Sequence, residues 1–212
     1  MIAKKINIGK HPEVLLRPYF ENNPEEGLIR LMDIILAVIF LIFAMPVLCL
    51  VALCIGLDSR GPIFYTQRRI GLDGKEFLLY KFRSMVLGAG QFSRPETIAL
   101  EQDDRVTRFG RFLRRSRIDE FPQVFNVLLG DMSFVGPRPE MIERVKRHRA
   151  LQGIRLSVRP GLTGLAQVEG NYHTAPRHKL RYDYLYIRNR TLLLNIKILA
   201  RTILVILTKP GS

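Results

Sequence analysis

IILAVIFLIFAMPVLCLVALCIGL, residues 34–57, carries no charge and is closed by Asp33 on one side and Asp58 on the other. The run is long enough to cross a bilayer as a helix. Pro46 stands at its middle, where it removes a helix hydrogen bond and clashes with the preceding turn, so the sequence predicts a bent helix. On residues alone two topologies stay open: a re-entrant hairpin that returns to its own leaflet, and an ordinary spanning helix that carries a proline. Arg60, Arg68, Arg69 and Lys75 place the downstream side in the cytoplasm, whereas Arg17 and Arg30 upstream do not settle the other side. The run begins only after thirty-odd residues and is followed by no small-residue cleavage pattern, which speaks against a signal peptide.

Outward from this segment, 212 residues suffice for one packed domain plus a membrane element. Lys and Arg total 33 against 19 Asp and Glu, a formal net charge of +14 that points to a polyanionic partner: nucleic acid, phospholipid headgroups or a phosphorylated substrate. No nucleic-acid-binding motif accompanies the charge. Cys49 and Cys54 lie in the apolar run and read as packing residues. His11, His148, His173 and His178 lack metal-ligand spacing, which argues against zinc. Residues 1–29, with Pro12, Pro18 and Pro24, read as an irregular lead-in.

Downstream, PIFYTQRRI and EFLLYKFRSM flank a GLDGK turn whose Asp-Gly pair suits positive dihedrals, predicting a β-hairpin over 62–86. Residues 88–103 read as loop. Val106, Phe109, Phe112 and Leu113 then fall at helical spacing, with Arg108, Arg111 and Arg115 on another face. Phe121, Val124, Phe125 and Leu128 predict a second helix, with Asp119 as its N-cap, Pro122 in its first turn and Gly130 as its stop. GDMSFVGPRP and VRPGLTGLAQVEGN read as ordered loops or short strands. Leu192–Leu207 is apolar except that Lys197 and Arg201 share one helix face, a pattern for lying on a membrane or for a core helix with a basic edge.

Asp119 and Glu120 are the candidate chemistry. A helix N-terminus and Arg114, Arg115 and Arg117 would keep a carboxylate at position 119 ionised, suited to attack on a phosphoryl group whose oxygens the arginines gather. Glu120 would hold a divalent cation, naturally magnesium, or accept a proton. By spacing alone the pair is equally an N-cap and a first-turn acid worth about 1 kcal/mol. Arg138 and Arg159, beside prolines and glycines, are either surface residues or bidentate phosphate clamps.

The order of motifs narrows the choice: KFRSM at 81–85, DDRVTRFGRFLRRSRIDEFPQVFNVLLGDMSFVGPRP at 103–139 and VRPGLTGLAQVEG at 158–170. Together they resemble the bacterial sugar transferase family, the monotopic phosphoglycosyl transferases, over nearly everything from Arg30 to Lys209. The resemblance implies a mostly helical α+β fold: a lead-in (1–29), a re-entrant membrane helix kinked at Pro46 (30–58), one cytoplasmic catalytic domain (59–190) and an interfacial amphipathic helix (191–212). It implies that Asp119 forms a covalent phosphosugar intermediate, releasing UMP from a UDP-sugar before a polyprenol phosphate such as undecaprenyl phosphate takes the sugar phosphate. Glu120 would engage Mg2+, with Arg114, Arg138 and Arg159 as phosphate or nucleotide contacts and Lys81 and Asp183 as further substrate-binding candidates. The implied setting is the cytoplasmic face of the bacterial inner membrane, at the first membrane step of glycoconjugate assembly, with membrane lipid and no nucleic acid as partner. Two departures stand out. The family's Ser-Pro is Met45-Pro46, and Asn171 stands where relatives carry an arginine. The competing expectation is a non-enzymatic basic protein that binds a membrane surface or nucleic acid.

Overall fold

The computed structural model describes residues 24–88, 103–170 and 176–208. A single helix, α1, runs from Pro24 to Asp58. It starts well before the charge-free run, inside the predicted lead-in, because Pro24 fits a first turn and Glu25 and Glu26 face the positive helix end. Pro46 lies inside it, where it offers no N–H to the carbonyl of Ile42, yet the helix is continuous through it. It is the one helix among the described residues long and apolar enough to cross a membrane.

One stripe of α1 is buried: Ile29, Asp33, Ala37, Leu48, Val51 and Ile55. The rest is half-buried or exposed: Phe40, Leu41, Ala44 and Ala52 lie partly against the cores, whereas Phe43 is 78 % and Leu57 79 % exposed. Cys49 is on the exposed side, against the expectation that both cysteines pack inside; the helix turns that position away from the domain. The stripe supplies two of three apolar cores. Ala37 packs with Phe77, Leu79, Val124, Val127 and Met132, while Leu48, Val51 and Ile55 pack with Phe82 and Leu113.

Polar contacts fix both ends of α1. Near its start, Arg30 donates to the carbonyls of Val127 (2.6 Å) and Leu128 (3.0 Å), and Asp33 accepts from Ser133 Oγ and the Phe134 N–H. At its other end, the buried guanidinium of Arg83 donates to the carbonyls of Ile55, in the last turn, and of Ser59 and Arg60, just beyond it.

The predicted hairpin is present as β1 (Phe64–Ile70) and β2 (Glu76–Phe82), antiparallel with Tyr65 opposite Lys81. Its turn places Asp73 at φ 57° and Gly74 at φ 74°, as the Asp-Gly pair predicts. Helix α2 (Arg108–Ser116) is capped by Thr107, whose hydroxyl accepts from the Gly110 N–H. Leu113 is fully buried, but Phe112 is 54 % exposed and stacks on Phe109, because only one side of α2 meets the domain. Helix α3 (Gln123–Leu129) stops at Gly130, which takes φ 93°. The buried Asn126 ties α3 to β2: its amide donates to the Leu78 carbonyl and its oxygen accepts from the Tyr80 N–H.

The glycine- and proline-rich stretches form β3 (Ser133–Val135) and β4 (Gly161–Thr163), a short parallel pair. Between them runs α4 (Ile142–Arg147), and α5 (Leu165–Glu169) and α6 (Pro176–Arg188) follow. The sequence pattern indicates none of these three. The last helix, α7 (Leu192–Thr208), matches the predicted apolar segment. It buries Asn195 and Ile198 in the third core, with Val135, Val158, Tyr186 and Ile187. Leu193, Ile196, Ile203, Leu204 and Ile206 stay exposed together with Lys197 and Arg201. The fold is thus mostly helical with two small sheets.

Candidate active site

Between α2 and α3 the chain makes a sharp correction. Arg117 adopts φ 57°, a left-handed conformation that costs a non-glycine residue roughly 1 kcal/mol or more. A single 3-10 turn, Ile118–Glu120, follows. Asp119 therefore does not cap α3. That helix begins at Gln123, behind Pro122 and with no side-chain cap, because Phe121 and Pro122 intervene between the acidic pair and the first helical residue.

Glu120 is the anchored member of the pair. Lys81 Nζ, on β2, lies 2.6 Å from its Oε1, and Arg138 approaches the same oxygen at 3.2 Å. Burial alone would raise its pKa, but the charges of Arg138 and Lys81 overcome that and hold the carboxyl down to about 2. Asp119 goes the other way. Burial pushes it up to about 6, with Lys81 pulling down, Glu120 adding repulsion and Arg114 pulling down. The helix terminus and arginines expected to keep Asp119 ionised act weakly here: α3 begins only at Gln123, Arg115 and Arg117 are exposed, and Arg114, turned to Ser84 Oγ at 2.9 Å, lowers the Asp119 pKa less than burial raises it. At pH 7 a carboxyl titrating near 6 is still about ten to one ionised, and it is more basic than an ordinary aspartate.

The structure brings together Lys81, Asp119, Glu120 and Arg138, with Arg114 close enough to act on Asp119 by charge. It places Arg159 elsewhere, at the opposite end of α3, where it donates to the Gly130 carbonyl and pairs with Glu26 at 3.0 Å. Asp183 is in a buried pair with Arg155 at 2.8 Å. Sequence reasoning singled out neither Arg155, which grips Asp183, nor Ser84, which receives Arg114, because neither carries a signal that separates it from the many other basic and small residues. Ser84 falls within the KFRSM motif, and only its register against Arg114 gives it meaning. Asn171 and most of the loop predicted over 88–103 lie outside the described residues.

Among the described residues no three His, Cys, Asp or Glu side chains cluster as a ready-made metal cage. The two carboxylates of one turn suit a magnesium ion that takes its other oxygens from substrate phosphates and water.

The family described as bacterial sugar transferase matches residues 25–209, and the chain belongs to that family. Curated relatives agree. The chain is 41 % identical over 189 residues to a UDP-N-acetylgalactosamine-undecaprenyl-phosphate N-acetylgalactosaminephosphotransferase of Aeromonas hydrophila, covering 86 % of this chain and 44 % of that protein. It is 40 % identical over 182 residues to a UDP-glucose:undecaprenyl-phosphate glucose-1-phosphate transferase of Klebsiella pneumoniae (82 % and 39 %). It is 36 % identical over 222 residues to an undecaprenyl-phosphate galactose phosphotransferase of Salmonella typhimurium (97 % and 46 %). The chain spans less than half the length of each of these relatives.

Proposed function

We propose that this chain transfers a sugar 1-phosphate from a UDP-sugar to a polyprenol phosphate, by way of Asp119. The carrying observation is the charge asymmetry of the dyad: Glu120 is clamped by Lys81 and Arg138, while its neighbour Asp119 is a basic, partly buried carboxylate. Such a carboxylate is a competent nucleophile. An Asp119 oxygen attacks the phosphorus that bears the sugar, the bond from that phosphorus to the bridging oxygen breaks, and UMP leaves with the electron pair. A phosphate oxygen of the polyprenol phosphate then attacks the same phosphorus and the aspartyl bond breaks, returning the carboxylate. Lys81, Arg114 and Arg138 supply positive charge where negative charge spreads over the transferring group. Mg2+ held by Glu120, with Asp119 beside it, would neutralise the diphosphate of the donor.

The exposed apolar faces of α1 and α7 favour a lipid surface over nucleic acid as the partner of the basic charge. For α1 we propose the re-entrant topology, entering and leaving by the cytoplasmic leaflet of the inner membrane. Both of its ends are pinned by side chains to the same folded domain, Arg30 and Asp33 at one and Arg83 at the other, which favours one side of the bilayer for both.

Incubation with Mg2+ and a panel of UDP-sugars tests the reaction. Wild type is expected to release UMP from at least one donor and to retain its labelled sugar phosphate on Asp119, and Asp119→Asn to do neither. Normal turnover by Asp119→Asn would refute the proposal.

A further inference from the structure

Residues 137–140 form a strap in which four consecutive carbonyls each accept a hydrogen bond from a different donor. Pro137 accepts from the Gly161 N–H at 2.9 Å, Arg138 from the Arg155 guanidinium at 2.7 Å, Pro139 from Arg69 at 3.1 Å and Glu140 from the Ile70 N–H at 3.2 Å. Two prolines fix φ along the strap. At its start Gly136 lies so close to neighbouring backbone that an added Cβ would sit 2.4 Å from the Arg159 carbonyl oxygen. The strap's backbone has little room to shift.

Arg138 is the strap residue whose side chain reaches out, 55 % exposed, to Glu120. A long, exposed guanidinium has many rotamers and little to hold it beyond its one ion pair. Its own carbonyl is where Arg155 attaches. Arg155 is itself 5 % exposed, gripped by Asp183 at 2.8 Å and lying 3.6 Å from Glu140. A buried ion pair of this kind adds little net stability over an apolar pair, so its presence beneath the site calls for another role.

We infer that Arg155, oriented by Asp183, is a positioning residue: it fixes the backbone of Arg138 so that the Arg138 side chain meets Glu120. Asp183 thereby acts on the substrate at one remove. The inference deepens the proposed transfer reaction and rests on it for its catalytic consequence, though the geometric claim is separable. A group displaced by about 1 Å can cost a reaction about a hundredfold, which is the scale at stake.

The test is a double-mutant cycle on UMP release, using the best donor of the UDP-sugar panel. Arg155→Lys, which keeps the charge but cannot span Asp183 and the Arg138 carbonyl together, is expected to lower kcat about tenfold or more. In an Arg138→Ala background the same change is expected to have no further effect, because the residue it acts through is gone. Asp183→Asn should repeat the pattern and serves if Arg155→Lys does not fold. Losses that multiply in the Arg138→Ala background would overturn the inference. A second readout needs no turnover: in 15N-labelled protein the side-chain Nε–Hε signal of Arg138 should shift and broaden in Arg155→Lys, as in Glu120→Ala, where its partner is removed. An Arg138 signal unchanged from wild type in Arg155→Lys overturns the inference as well. Absence of UMP release by wild type from every donor would instead strike at the reaction, leaving the Arg138 signal to judge Arg155.

Discussion

Lys81 Nζ and Glu120 Oε1 are 2.6 Å apart, and Lys81 is at the same time the strongest influence holding down the pKa of Asp119. One ammonium thus serves both carboxylates. If the ionised Asp119 is the nucleophile, kcat/KM falls as pH drops through about 6. Lys81→Met removes a cation and moves that limb to higher pH. Glu120→Gln removes a like charge and moves it to lower pH. Rate profiles of UMP release between pH 5 and 8 separate the two, and limbs that stay together in both variants would contradict the assignment.

The proposed nucleophile also weighs on stability. Its folded pKa, about 6, lies above the unfolded value, so the stability that Asp119 contributes is present below the unfolded pKa and lost as pH rises through about 6. At pH 7.5, Asp119→Asn is expected to stabilise the fold by about 1–2 kcal/mol, with a smaller gain at pH 5. Glu120 has the opposite sign: held near 2, it contributes stability above its unfolded pKa that is lost as pH falls toward 2. Glu120→Gln should therefore destabilise at pH 7.5. Thermal unfolding in detergent at the two pH values checks both directions.

These opposed carboxylates also mark the limit of what was legible in the sequence. Periodicity located α2, α3 and α7, the Asp-Gly turn located the hairpin, and the apolar run located α1, because each is a local property of the chain. The state of Asp119 is not local. It depends on Lys81 arriving from β2 and on burial by the surrounding elements, neither of which spacing along the chain reports. The N-cap expectation failed on one backbone angle: Arg117 is left-handed, and the turn that follows sets Phe121 and Pro122 between the acidic pair and α3. The order of motifs carried the family, but it ranked Arg159 with Arg114 and Arg138 as a phosphate contact and set Lys81 behind it, beside Asp183. The fold reverses that order, setting Lys81 against Glu120 and Arg159 against Glu26.

Arg159 gives the clearest test of that separation. It pairs with Glu26, which also engages Arg190, so its side chain joins the start of α1 to the loop before β4. Arg159→Lys loses the bond to the Gly130 carbonyl and is expected to lower the unfolding midpoint by a few degrees, with the KM for the UDP-sugar unchanged. A selective rise in KM would return Arg159 to the substrate site.

The proposed re-entrant topology makes its own prediction. In a background with Cys49 and Cys54 replaced by serine, a Lys5→Cys variant should remain protected from an impermeant thiol reagent applied outside intact cells. Labelling would mean that α1 crosses the membrane.

Within the short stretch 81–84 three side chains face three different duties. Lys81 holds Glu120, Arg83 holds the end of α1, and Ser84 holds Arg114. Whatever lifts or tilts α1 therefore pulls on the segment that carries the clamp of the dyad. With α1 embedded as proposed, the thickness of the bilayer becomes a variable of the chemistry, and acyl-chain length should tune turnover.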